Sequence, residues 1–160
     1  MAPNIGASFA HTLTAAGIAA VPFVAVMAAT GSSVAGAVVG AVVAFIATLL
    51  FIIREGRQVA VEQVLKTTSI DPTLASEVNK STHTSSFVLW NLSAQKNAVE
   101  KVLENAAVSY EDKQAVLDAA SIGLGEAFSK TSSNLNAALQ GFSPVIAVVF
   151  FIAMALFPLG

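Results

Sequence analysis

The chain has no cysteine, one tryptophan, one tyrosine and two histidines among 160 residues. Without cysteine there is no disulfide, no thiol nucleophile and no Cys-based metal site. Charge is scarce as well. Asp, Glu, Lys and Arg make up 11% of the chain, against about 25% in an average soluble domain. All of that charge falls between Arg54 and Lys130, and residues 1–53 and 131–160 carry none. A net charge of −2 with no basic stripe gives no reason to expect nucleic acid as a partner.

Chemical motifs are missing too. There is no P-loop, no GxGxxG and no His-Glu-x-x-His. His11 and His83 lie 72 positions apart. His11 has no second ligand at i+3 or i+4 and reads as an interfacial residue. Glu111-Asp112 adjoin, but at a helix start, where acidic groups favour the dipole. No carboxylate lies in an apolar segment, so no intramembrane proton relay is expected. Gly123-Leu-Gly125 sits in an apolar helix face rather than a phosphate loop. The sequence therefore predicts a non-enzymatic protein with no catalytic residues, no cofactor and no metal site.

What is present is apolar surface. Residues 13–53 form 41 consecutive positions without a charge. One helix of that length would run about 60 Å, twice the roughly 30 Å hydrocarbon core. The expected arrangement is a transmembrane helical hairpin with limbs near 10–30 and 34–54. Its turn falls at Gly31-Ser32-Ser33, and Pro22 kinks the first limb. A re-entrant hairpin is the alternative, because each limb is near the minimum spanning length. Residues 1–12 read as an interfacial lead-in, with Ser8 or Thr12 as a helix cap. No cleaved signal peptide is expected, because the apolar stretch far exceeds the usual 7–15 residues or so.

The second limb carries a packing signal. Ala28, Ser32, Gly36, Gly40, Ala44 and Thr48 recur every four residues, in a glycine-zipper-like series. Small residues on one face allow close helix approach in lipid, where burial from water drives nothing. The stripe packs either on the first limb or between copies. Arg54 and Arg57 then end the run as membrane-exit anchors. By the positive-inside rule they put residues 54–134 on the cytoplasmic side.

That middle region reads as short amphipathic helices. Asp71 caps a helix starting at Pro72. Asn79–Ser86 reads as a loop, with His83 solvated in it. Trp90 is either a third interfacial anchor or a core plug. Gly56 loosens the chain beyond the membrane. Val99, Val102, Leu103 and Ala106 share a helix face. Ser109 starts another helix, on which Val116, Ala119, Ala120, Gly123, Leu124, Ala127 and Phe128 form one face. Residues 135–160 read as a C-terminal transmembrane helix, in which Gly141 and Pro144 mark a kink or the helix start. The fold class expected is all-α, integral to a membrane.

The layout resembles the holin-like small membrane proteins of bacteriophages. The likeness lies in the Gly/Ala-rich hairpin with its exit Phe51-Ile-Ile-Arg54-Glu55, and in the Pro-initiated helix of Leu139-Gln-Gly-Phe-Ser-Pro144-Val-Ile-Ala-Val-Val149. The resemblance implies a self-associating, hole-forming homo-oligomer of a bacterial inner membrane. The middle is longer and more helical than such proteins need, and no basic tail follows the last helix. Those departures motivate an alternative: a structural protein of a virion with an internal membrane, or an accessory subunit of a larger membrane complex. Under either reading the partners are the lipid bilayer and copies of the chain or other membrane subunits.

Overall fold

The computed structural model describes residues 4–84 and 91–157, all-helical among those described. Two compact units divide the chain: Met1–Phe51 with Ala138–Gly160, and Ile52–Ala137. Every charged residue belongs to the second unit.

In the first unit, α1 (Ile5–Thr30) starts earlier than the sequence suggests. Asn4 is its cap, accepting from the Ala7 N–H at 3.2 Å, in place of Ser8 or Thr12. Thr12, Thr14 and Thr30 donate instead to carbonyls one turn back on their own helix. Such back-bonding keeps a hydroxyl satisfied without water. The helix continues through Pro22 and ends at Gly31. Gly31 takes φ +67, the left-handed conformation natural to glycine, and its N–H caps Met27 O at 2.9 Å. Ser32 Oγ then accepts from Ala35 N, opening α2 (Ser33–Leu65).

The last helices are α7 (Leu135–Phe142) and α8 (Val145–Leu156), separated by a break at Ser143-Pro144. A kink and a helix start thus coincide at one proline. Pro144 has no N–H to give the Gln140 carbonyl. Helices α1 and α8 pack together. Their buried positions are mostly small, Ala15, Ala19 and Ala147, with Phe151 as the large exception.

In the second unit, α2 continues without interruption to Leu65, so Gly56 does not loosen it. Asp71 caps α3 (Pro72–Thr84) as expected, its carboxylate accepting from Thr73 N at 2.8 Å. The Asn79–Ser86 loop does not form over its first part. Residues 79–84 complete α3, and His83 lies on its last turn. Ser81 and Thr82 bond back to Val78 and Asn79 carbonyls at 2.7 Å, so a polar run stays helical. Residues 85–90, including the proposed anchor Trp90, lie outside the described residues.

Helix α4 (Ser93–Leu103) packs on α3 and on α5 (Tyr110–Ala119). Ser109 Oγ accepts from Asp112 N at 3.1 Å, the expected cap. The single apolar face through residue 128 is instead broken at 120–123, where the chain turns into α6 (Leu124–Ser133). Val116, Ala119, Ala120 and Ala127 are buried, whereas Leu124 and Phe128 are exposed. Val61, Val78, Val99, Leu103 and Val116 form the centre of this unit's core.

Candidate functional site

Within the first unit the small-residue stripe is a packing seam. Only Gly36, Gly40, Ala44 and Thr48 lie on α2, and all four are buried; Ser32 is a half-buried turn residue and Ala28 an exposed residue of α1, so the expected six-residue stripe is a seam from Gly36 onward. A Cβ at Gly36 would fall 2.7 Å from the Phe23 carbonyl oxygen and 3.3 Å from Met27 Cβ, both on α1. A Cβ at Gly40 would fall 2.6 Å from the ring of Phe151 on α8. Each four-residue step winds the stripe about 40° around the helix. Neighbouring glycines therefore meet different partners. Phe151 fills the space Gly40 leaves and sits 5.7 Å from the ring of Phe23. Outside this seam the unit exposes many large apolar side chains. Phe9, Leu13, Val21 and Val24 on α1, Val38, Val42 and Phe45 on α2, and Ile146, Val149 and Phe150 on α8 are each more than half exposed.

His11 is more than an interfacial residue. Its ring stacks on Phe51 at 4.4 Å, and Nδ1 lies 3.1 Å from the Gln140 carbonyl. A carbonyl only accepts, so Nδ1 carries the proton in this contact. Thr12 Oγ1 donates to the Ser143 carbonyl at 3.0 Å. α1 thus supplies donors where Pro144 interrupts the helix.

Within the second unit, α2 passes through a polar collar just after its apolar run. Arg57 is 9% exposed and aims inward. Its Nε donates to the Ile122 carbonyl at 3.1 Å and Nη2 to Ser121 at 3.5 Å, both in the α5–α6 connection, while Nη1 donates to the Leu92 carbonyl. A rigid guanidinium fork matches such a set. Arg54 Nη2 donates to the His83 carbonyl at 3.3 Å, and Gln95 donates to the Arg54 carbonyl at 3.3 Å. Gln58 and Gln95 both donate to the Thr82 carbonyl. Thr131 Oγ1 donates to the Ile52 carbonyl at 2.9 Å. At Gly56 the backbones of α2 and α6 touch: a Cβ there would fall 2.5 Å from Ala127 Cα.

Burial shapes the electrostatics. Glu55 is 5% exposed, and loss of water pushes its carboxyl up to about 7, with the Arg54 charge opposing. Arg57 is lowered by burial. Partial burial, with the charge of Arg54, also lowers His83.

Arg54 and Arg57, the expected membrane-exit anchors, also bond carbonyls within the second unit. Collar partners at Leu92, Gln95, Ser121 and Thr131 carry no signal that sequence alone connects to Arg54 and Arg57. Gly56 is different, because Gly56 and Ala60 resume the four-residue series that breaks after Thr48. That repeat was a readable sign of close packing.

An open groove of about 480 Å³ is lined by α2, α5 and α6. Ala60, Val64, Ala115, Ala119 and Ile122 give it apolar walls, and Asp118, Glu126, Gln63 and Lys130 are its polar residues. Lys130 Nζ is held by Gln63 at 2.7 Å. Among the described residues no three of His, Cys, Asp or Glu converge as metal ligands would. Three helical stretches, Ile5–Thr30, Ser33–Leu65 and Leu135–Leu156, are long and apolar enough to cross a membrane. No protein-family model, no curated protein and no solved structure matches the chain.

Proposed function

We propose that the chain is a non-enzymatic membrane subunit: a three-helix anchor, packed on itself, that carries a helical polar unit for docking to other components. The observation that carries this reading is the filling of Gly36 and Gly40 by Phe23, Met27 and Phe151 of the same chain. A stripe occupied in this way is not left over for copies.

The spans are long enough. At about 1.5 Å per residue, α1 reaches about 39 Å and the run 33–53 about 32 Å, against a core of about 30 Å; the third stretch, Leu135–Leu156, is comparably long but interrupted at Ser143-Pro144. These lengths favour a full hairpin over a re-entrant one. With Arg54 and Arg57 marking the inner face, the N-terminus and the second unit are cytoplasmic and the C-terminus is outside. The structural or accessory-subunit role is supported by the polar unit, whose own core is distinct from the anchor.

The holin-like, hole-forming reading receives less support. A water-filled hole needs polar lining, and the exposed face of the first unit is built of Val, Phe, Leu and Ile. The deciding experiment is expression of the chain alone, followed by purification from native membranes. A subunit permits continued growth and is recovered with partners at fixed stoichiometry. Abrupt killing, with timing altered by Gly40→Leu, supports hole formation instead.

A further inference from the structure

Helix α6 runs beside α2 in a register that turns α2 into a depth ruler. Thr131 bonds the Ile52 carbonyl, and one turn earlier on α6 Ala127 meets Gly56, one turn later on α2. Phe128 falls between those two contacts, level with residues 53–56. The apolar run ends at Ile53. Phe128 therefore lies within about one helical turn, roughly 5 Å, of that end. The polar layer on each side of the hydrocarbon core is about 5–7 Å thick, so Phe128 falls inside it.

At that level Phe128 is 50% exposed and Leu124, one turn further out, 42%. The two lie at i and i+4 on one face, adjacent to the Ala127–Thr131 face that is buried against α2. A single residue, Asn134, separates α6 from α7 and its apolar run. An exposed apolar ring held at the level of the interface, on a helix that leads directly into a span, is removed from water by contact with lipid, which favours that contact.

We propose that the Leu124–Phe128 face of α6 is a lipid-contact surface, with Phe128 seated in the interfacial layer of the bilayer where α2 emerges and Leu124 at the outer edge of that layer. The proposal rests on the reading of α2 as a spanning helix. It makes the polar unit a body pinned to the membrane surface rather than a freely tethered one.

The absence of cysteine permits a clean test. Nitroxide labels are placed on Phe128→Cys and Leu124→Cys of the full chain, in phosphatidylcholine–phosphatidylglycerol vesicles. References are Val42→Cys, 54% exposed on the apolar run, and Tyr110→Cys, 80% exposed on α5. Collision rates with oxygen and with a nickel chelate report depth. The expected result is severalfold lower chelate collision at 128 than at 110, with 124 between the two. Should Phe128→Cys lose helical content, Leu124→Cys gives a reading in the same direction. Chelate collision at 128 and 124 equal to that at 110, with 42 rich in oxygen, overturns the proposal alone. Chelate access at 42 as well overturns the spanning reading and the proposal with it.

Discussion

His11 Nδ1 lies 3.1 Å from the carbonyl of Gln140, whose normal helical donor is removed by Pro144. The Ser143 hydroxyl also donates to that carbonyl at 3.1 Å. With Ser143 still bonded to it, loss of the His11 contact costs about one net hydrogen bond, roughly 0.5–1.5 kcal/mol. His11→Ala should therefore lower stability by roughly that amount. In a Pro144→Ala background the alanine N–H serves the same carbonyl, and the loss should shrink to half or less. Thermal unfolding of the four variants in nanodiscs measures the cycle; an equal loss in both backgrounds argues against the assignment.

Gly56 sits where α2 and α6 come into backbone contact. Gly56→Ala normally favours a helix by up to about 1 kcal/mol. Here the added methyl meets the backbone of Ala127, which cannot rotate away as a side chain would. The expected net result is destabilisation by about 1–3 kcal/mol, seen as faster hydrogen exchange in α6. Gly17, with nothing within 4 Å of a Cβ, provides the contrast: Gly17→Ala should be neutral or stabilising.

Arg57 bonds three carbonyls from two separate parts of the chain. Arg57→Lys keeps the charge but loses the fork, so it should restore little of what Arg57→Ala removes. Unfolding midpoints of the two variants decide this. A lysine variant as stable as the parent means that charge alone matters there.

These three sites show what the sequence leaves unreadable. Asp71, Ser109 and Gly31 were legible because a cap or turn acts on backbone only a few residues away. The contacts of His11 and Arg57 are not legible in the same way, because their partners, Gln140 and Ile122, lie far along the chain; at Gly56 the four-residue repeat signals close packing but not that Ala127 is the neighbour. Residue type suggests a position for each, and tertiary contact adds a partner that residue type does not reveal. The run Asn79–Thr84 failed differently. Its polarity suggested a loop, but Ser81 and Thr82 bond to their own helix, and Thr82 points inward with no exposure.

Glu55 gives the second unit a pH dependence. Its folded-state carboxyl is raised from 4.5 to about 7 by burial. Between those values the folded chain binds the proton more tightly than the unfolded chain does. The associated stability is fully present below pH 4.5 and is lost as pH rises to about 7. A shift of that size corresponds to roughly 3 kcal/mol. Glu55→Gln should flatten this slope, which unfolding midpoints across pH 4–8 would measure. An unchanged slope contradicts the assignment.

The central claim is that the stripe on α2 is used within one chain. Ala44 lies on the stripe with no exposed surface, whereas Val38 is 51% exposed on the same helix. Oxidative cross-linking of single-cysteine variants in native membranes tests this most directly. Ala44→Cys should yield monomer under conditions in which a cysteine at Val38 is freely modified by a membrane-permeant maleimide. A covalent dimer from Ala44→Cys would place the stripe between copies and contradict the account.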